Sequence, residues 1–229
     1  MVNTLAVDIG GSGIKTILLD ENGTAISPRL RQPTPQPAIP LRVIEVIYDL
    51  AKQQEEFSRV SVGFPGVVKQ GVIYTAVNLH PDWYKFDLAT ALHQKLGKPT
   101  RVANDADIQG FGAITGQGVE LVITLGTGFG SALFLHGKLV PNLEMGHHPF
   151  RKGETYEEQL GRKALKTIGK KKWNERLAKA LDNLANLFNY DALYIGGGET
   201  KNINFHLPQQ VQIVSNMAGL LGGIALWQD

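Results

Sequence analysis

Asp8 is the first residue of this chain equipped for chemistry. It sits inside an apolar run, Leu5 to Ile9, that leads directly into Gly10-Gly11-Ser12-Gly13. A carboxylate is costly to bury unless a cation or a donor meets it. Glycines in a tight turn let backbone N–H groups come close to an anion. Together they point to a phosphate cradle in which Asp8 reaches a phosphate-bound Mg²⁺ through water. Two familiar glycine fingerprints do not fit. The P-loop needs Gly before its Lys, and here Ile14 precedes Lys15. The dinucleotide fold needs a helix after the glycines, whereas Lys15 to Leu19 reads as strand.

A glycine turn between strands also occurs where nothing binds, so the motif gains its weight from a second copy. Leu121 to Val140 (LVITLGTGFGSALFLHGKLV) repeats the order strand, glycine turn, strand, Gly137 turn, short run. Val7, Ile9, Gly10 and Leu19 align with Ile123, Leu125, Gly126 and Leu135. Two similar lobes, each presenting a glycine hairpin to a shared cleft, would suit a ligand with several phosphates.

Further candidates follow along the chain. Asn104, Asp105 and Asp107 close a short strand in TRVANDAD. Such a trio is also an ordinary helix start, but Asp105 at the join of the two repeats suits a general base for a hydroxyl. In NLEMGHHPF, Glu144, His147 and His148 cluster around a glycine. They match no helix-borne zinc motif and are better suited to the donors and acceptors of a polyol.

These groups need a scaffold, and the patterning supplies one. Arg59 to Phe64 alternates as a strand ending in Pro65-Gly66, and α/β sheets bind ligands at such carboxyl ends. Leu41, Ile44, Ile47 and Ala51 recur with helical spacing, and Asp87 caps a helix stopped at Gly97. The proline-rich stretch Ser27 to Pro40 reads as an extended surface linker. Thr155 opens a helix-like run carrying Glu157, and Asp191 to Gly198 is a strand ending in glycines. A last helix is predicted from about Ile213 to Trp227, packing back on the first lobe.

The chain has 229 residues, 43% hydrophobic and 19% charged, enough for real cores and outside the disordered range. The absence of cysteine excludes disulfides and thiolate metal sites. No signal-like segment or membrane-length apolar run is evident, so a cytoplasmic protein without a membrane partner is expected. Net charge is only +2, yet Arg151 to Lys179 holds ten basic against four acidic residues. That asymmetry is either one solvated face or the footprint of an anionic partner.

With these residues in view, the chain resembles the ROK family of sugar kinases and repressors, in the actin/hexokinase-like superfamily. DIGGSGIK and LGTGFG resemble its phosphate motifs, VANDAD its catalytic motif and EMGHHPF its sugar-binding motif. TYEEQLGRKALKTIGKKKWNERL and YIGGGETK are most similar to the polyphosphate-using branch of glucokinases. The resemblance implies a two-lobed α/β fold, actin/hexokinase-like (ribonuclease H-like), with a duplicated mixed-sheet core. The lobes would be 1–105, joined by a C-terminal helix about 211–229, and 106–210.

It further implies phosphoryl transfer to the 6-hydroxyl of glucose, with Asp105 as the base. Asn78, Asn104, Glu144, His147 and Glu157 would hold the sugar. Gly10, Gly11, Ser12, Lys15, Thr127, Gly128, Gly197, Gly198 and Lys201 would contact the donor, and Asp8 would lie near Mg²⁺. The donor is inorganic polyphosphate or ATP; the basic stretch favours polyphosphate, with Lys170 to Lys172 as part of its track. The alternatives are an ATP-dependent gluco/mannokinase and a non-catalytic sugar sensor on the same fold. Two departures bear on partners. Many ROK proteins carry a cysteine-rich zinc cluster, so no structural zinc is expected here. ROK repressors begin with a DNA-binding helix-turn-helix, whereas strand sequence starts at Leu5, so no nucleic-acid partner is expected. Dimers are usual in the family, which implies a homodimer.

Overall fold

The computed structural model describes residues 2–76, 79–141, 143–215 and 221–227. The chain divides into two compact units, 1–112 with 217–229, and 113–216. Among the described residues no helix is long and apolar enough to cross a membrane.

The first unit is built on β1 (Thr4–Gly10), β2 (Gly13–Leu19), β3 (Leu30–Gln32), α1 (Pro40–Ala51), β4 (Arg59–Phe64), the hairpin β5 (Val68–Lys69) and β6 (Val72–Ile73), α2 (Leu88–Leu96), β7 (Thr100–Asn104) and α3 (Asp105–Phe111). Its sheet runs β3-β2-β1-β4-β7. The first three strands form an antiparallel meander and the last two run parallel to β1. That register places Asp8 opposite Gly63, and Gly63 opposite Ala103, so the carboxyl ends of β1, β4 and β7 lie side by side. The core under the sheet contains Leu5, Val7, Ile9, Val60, Val62 and Phe64 with the inner face of α1 and the buried Trp83. Pro40 opens α1 at a position where its missing N–H costs nothing. The buried face is Val43, Ile44, Ile47, Leu50 and Ala51, while Leu41, expected inside, is 69% exposed. It stands one position off a stripe that Pro40 begins.

The linker expected between Ser27 and Pro40 contains β3, which pairs with β2 from Ile14↔Gln32 to Thr16↔Leu30. Three residues make an edge strand before the prolines end it. Asp87 caps α2 by accepting the Thr90 amide at 3.0 Å, and Gly97 ends it in the left-handed conformation.

The second unit repeats the plan with β8 (Val119–Leu125), β9 (Phe129–Leu135), β10 (Lys138–Val140), β11 (Pro149–Arg151), β12 (Glu154–Thr155), α4 (Tyr156–Leu160), α5 (Arg162–Phe188), β13 (Ala192–Gly196) and β14 (Val211–Ile213). The order β10-β9-β8-β13-β14 is again an antiparallel meander followed by two parallel strands. The internal repeat is thus a repeat of topology, with β2 and β9 each seven residues long.

One departure from expectation concerns the predicted terminal helix: Val211–Ile213 is a strand parallel to β13 and Gly222–Trp227 is a 3₁₀ segment, while 216–220 lie outside the described residues. Val211, Ile213 and Val214 are β-branched and follow Pro208, so the local preference is extended. Helix α5 breaks at Gly169, whose φ of 78° and ψ of 161° are not helical. Lys170 to Lys172 therefore begin the second segment of α5.

Candidate active site

In the first unit the candidate residues gather at the carboxyl edge of the parallel strands. Asp8 faces Lys15 across the hairpin, and Lys15 Nζ donates to Asp8 Oδ2 at 2.6 Å. Asp8 is half-buried rather than buried, and its charge is met by a lysine. The turn joining β1 to β2 has reasons for its glycines. A Cβ on Gly13 would lie 2.6 Å from the Arg31 guanidinium, and one on Gly10 would lie 3.0 Å from the Gly13 carbonyl. Arg31 Nη2 donates to the Ser12 carbonyl at 2.9 Å, and the Thr34 hydroxyl donates to the Gly10 carbonyl. Both carbonyls are thus occupied from behind, holding the Gly10-Gly11-Ser12 turn in shape. Arg31 and Thr34 had no local signal in the sequence, because they come from the stretch read as linker.

Asn104 ends β7 and caps α3. Its Oδ1 accepts the amides of Ala106 at 2.7 Å and Asp107 at 3.3 Å, as a helix start requires. Its Nδ2 donates to the Gly66 carbonyl at 3.0 Å, tying the turn after β4 to the turn after β7. Asn104 is thereby committed to architecture with both ends of its amide. Asp105 is the first residue of α3, beside Gly63, with its Oδ1 accepting the Ala106 amide at 2.8 Å. That bond fixes the carboxylate's orientation at the strand ends.

In the second unit the candidates form two adjoining groups. Glu157, in α4, leans into the β8–β9 turn: a Cβ on Gly128 would overlap its Oε2, which accepts the Phe129 amide at 3.2 Å. Glu144 Oε2 lies 3.5 Å from His147 Nε2. Burial pushes the Glu144 carboxyl above its ordinary value, the negative charge of Glu157 adds to this, and His147 opposes it. Glu144, His147 and Glu157 are thus one cluster, while His148 turns to the Pro149 carbonyl at 2.9 Å. Gly146 is needed here because a Cβ would overlap the Phe129 carbonyl. The capping box at Thr155 and Glu158 starts α4 and so aims Glu157.

The other group surrounds Gly126 to Gly128. Arg162 N donates to the Gly126 carbonyl at 2.9 Å, and Glu199 N to the Leu125 carbonyl at 3.0 Å. Gly197 has φ of 94°, and a Cβ there would overlap the Leu125 backbone. Thr127, Gly128, Gly197 and Gly198 are therefore gathered at the end of β8. An ion pair the sequence did not announce, Arg162 Nε to Glu199 Oε1 at 2.6 Å, locks the two loops. Its one visible signal is that both residues directly follow a glycine. Lys201 stands exposed on the turn after these glycines. Asn78 lies outside the described residues.

The sequence pattern of the ROK family matches residues 4–156. The chain belongs to the ROK family. It is 31% identical to the polyphosphate glucokinase of Mycobacterium tuberculosis (strain CDC 1551 / Oshkosh), across 94% of this chain and 88% of that protein. The crystal structure of the inorganic polyphosphate/ATP-glucomannokinase of Arthrobacter sp. strain KM superposes with a TM-score of 0.90, at 34% identity over 99% of this chain and all of that one. A ROK glucokinase of Streptomyces griseus, solved with glucose and AMPPNP, gives 0.84 at 22% identity and supports the fold. The duplicated sheet is thus the actin/hexokinase-like core shared by ROK sugar kinases.

Proposed function

We propose that this ROK protein is a glucokinase that moves the terminal phosphoryl group of inorganic polyphosphate, and also of ATP, to the 6-hydroxyl of glucose. The observation that carries this reading is Asp105, oriented by the Ala106 amide at the carboxyl ends of β4 and β7. As the 6-oxygen forms its bond to phosphorus, Asp105 accepts the hydroxyl proton. The bond to the leaving phosphate breaks in the same in-line step, giving glucose 6-phosphate and a donor one phosphate shorter. Glu144, His147 and Glu157 accept from and donate to the remaining sugar hydroxyls, and Asn104, whose Nδ2 carries a second N–H beyond the one given to Gly66, adds a donor. The turns at Gly10-Gly11-Ser12, Thr127-Gly128 and Gly197-Gly198 offer amides to the donor, with Lys15 and Lys201 as cations. Positioning and charge stabilisation of this kind carry most of the catalysis in phosphoryl transfer.

Mg²⁺ is usually held by one or two carboxylates together with substrate phosphates and water. Asp8 fits that mode, with one oxygen already facing Lys15. Among the described residues no group of three or more ligating side chains forms an all-protein metal site. When bound, the ion would neutralise charge developing on the donor phosphates. We further propose a cytoplasmic homodimer, in keeping with the absence of cysteine and with the dimers usual among ROK proteins.

The deciding experiment is a glucose 6-phosphate assay with polyphosphate and with ATP, on wild type and Asp105→Asn. Product from wild type with either donor, nearly abolished in the variant, is the expected result. No product from glucose with either donor would overturn the kinase reading in favour of a sugar sensor.

A further inference from the structure

The second unit contains a cavity of about 340 Å³ lined by Arg151, Lys152, Lys172, Glu175, Arg176 and Lys179. Five of these six side chains are cations. Their order in the chain shows why they meet. Lys172, Glu175, Arg176 and Lys179 follow a spacing of three and four along the second segment of α5, which is one helical stripe. Arg151 and Lys152 face it from the β11–β12 turn, where Lys152 and Gly153 both have positive φ. Lys170 and Lys171 fall off the stripe, so only the last lysine of the triplet contributes.

Like charges collected around one cavity repel, and the two arginines are held there regardless. Arg151 Nη1 donates to Gln159 Oε1 at 3.4 Å, and Arg176 Nη1 lies 3.5 Å from the Gln159 carbonyl. Gln159 is itself buried, with 2% of its surface exposed. Burial and the neighbouring Arg151 charge both depress the Arg176 guanidinium from its ordinary value, with Glu154 opposing. The pair is thus fastened to α4, the same short helix that carries Glu157. Two residues apart, Glu157 and Gln159 leave that helix in different directions. One serves the β8–β9 turn and the other the basic cavity.

We propose that this cavity is a binding site for the internal phosphates of a linear inorganic polyphosphate chain. A row of closely spaced cations with one intervening carboxylate matches a repeating polyanion. No aromatic side chain lines it, so a nucleobase would find nothing to stack on. Guanidinium forks suit phosphate oxygens in pairs, and lysines add point charge along the chain. The proposal rests on polyphosphate being a donor, and it adds that affinity comes from phosphates away from the one transferred.

The test is the triple variant Lys152→Ala/Lys172→Ala/Lys179→Ala, which spares both arginines and their Gln159 contacts. Binding of end-labelled long-chain polyphosphate is measured directly on the full chain at several salt concentrations. Glucose kinetics are run beside it with long chains, tripolyphosphate and ATP. The expected result is a KM for long chains raised about tenfold, with tripolyphosphate and ATP nearly unchanged. The dependence of log affinity on log salt should become shallower by about 2, from roughly 0.7 per lost phosphate contact on a flexible polyanion. Unchanged long-chain binding and kinetics in a wild type that does use polyphosphate would overturn the site and leave the donor assignment standing. A wild type that makes product from ATP alone and binds no polyphosphate would overturn both. Equal losses on all three donors, or tighter binding of a charge-matched DNA oligomer than of polyphosphate, would also overturn it.

Discussion

At the residue scale, the two carboxylates that matter are set apart by surroundings rather than by type. Asp105 accepts the Ala106 amide at a helix start. Its replacement by Asn keeps size and capping geometry but removes the proton acceptor. Glucose phosphorylation by Asp105→Asn should fall by roughly 10²–10⁴ in kcat, the usual range for a lost general base. The KM for glucose and the melting temperature should stay close to wild type; a variant with near-normal kcat would remove Asp105 from the reaction. Glu144 behaves differently because burial and the nearby Glu157 raise its carboxyl. Between its ordinary value and the raised one, the folded protein keeps a proton that the unfolded chain has released. Stability therefore declines as pH rises through that window, a cost accepted at a binding site. Sugar binding should run the other way. A neutral carboxyl is a poorer acceptor, so the KM for glucose should climb as pH falls from neutral into the weakly acidic range. Glu144→Gln should flatten that climb and raise the KM throughout; an unaltered pH profile would exclude Glu144 as the titrating group.

At the element scale, the glycine turns carry two different requirements. Gly13 is glycine because the Arg31 side chain lies over it, and Gly128 because Glu157 does. Gly128→Ala should displace Glu157 and lift the KM for glucose by roughly tenfold, about the 1–3 kcal/mol of a lost polar contact to substrate. Its effect on stability should be the smaller one, since a flexible side chain can yield; a variant with an unchanged glucose KM would separate Glu157 from the sugar. Such facts also mark how far the sequence could be read. The strand–turn–strand repeat, the Asp87 and Thr155 helix starts and the strands β4 and β7 are written in local pattern. The partners of the turns are not, because Arg31, Thr34 and Glu157 reach them from 19 or more residues away. Glu120 is the extreme case. It is a fully buried carboxylate at the second position of β8, satisfied by the amides of Thr115, Gly116 and Gln117 and the hydroxyls of Thr115 and Tyr194. Read along the strand it is one polar residue among apolar ones. Burial works to raise this carboxyl, yet the donors prevail and its value is lowered. The stability it contributes is present above the unfolded-state value and is lost as pH falls through the lowered one. Glu120→Ala, which strands several donors, should cost on the order of 3 kcal/mol in denaturant unfolding.

At the scale of the whole molecule, the chain leaves the first unit at Gly112 and returns to it only after the second unit is complete. What the return brings is a clamp on the sheet. Trp227 Nε1 donates to Ser61 Oγ at 2.8 Å, and Ser61 Oγ donates to the Gly223 carbonyl at 2.7 Å. The Trp227 ring lies 5.0 Å from the Arg59 guanidinium and 4.6 Å from that of Arg101. Arg101 also donates to the Leu226 carbonyl. Gly222 and Gly223 permit this approach, since a Cβ on the first would overlap the Ile108 carbonyl and one on the second would crowd Ser61. The clamp therefore grips the early residues of β4 and β7, whose carboxyl ends carry Gly63, Asn104 and then Asp105. Trp227→Ala removes the ring, the indole bond and two cation–π contacts at once, and should cost about 3 kcal/mol. Trp227→Phe keeps a ring between the arginines and loses the bond to Ser61, so it should cost closer to 1 kcal/mol. Chemical denaturation should rank the three proteins in that order, with glucose phosphorylation near normal in the Phe variant at low denaturant. If the Ala variant unfolds at the wild-type midpoint, the terminal segment does not stabilise the sheet that supports Asp105.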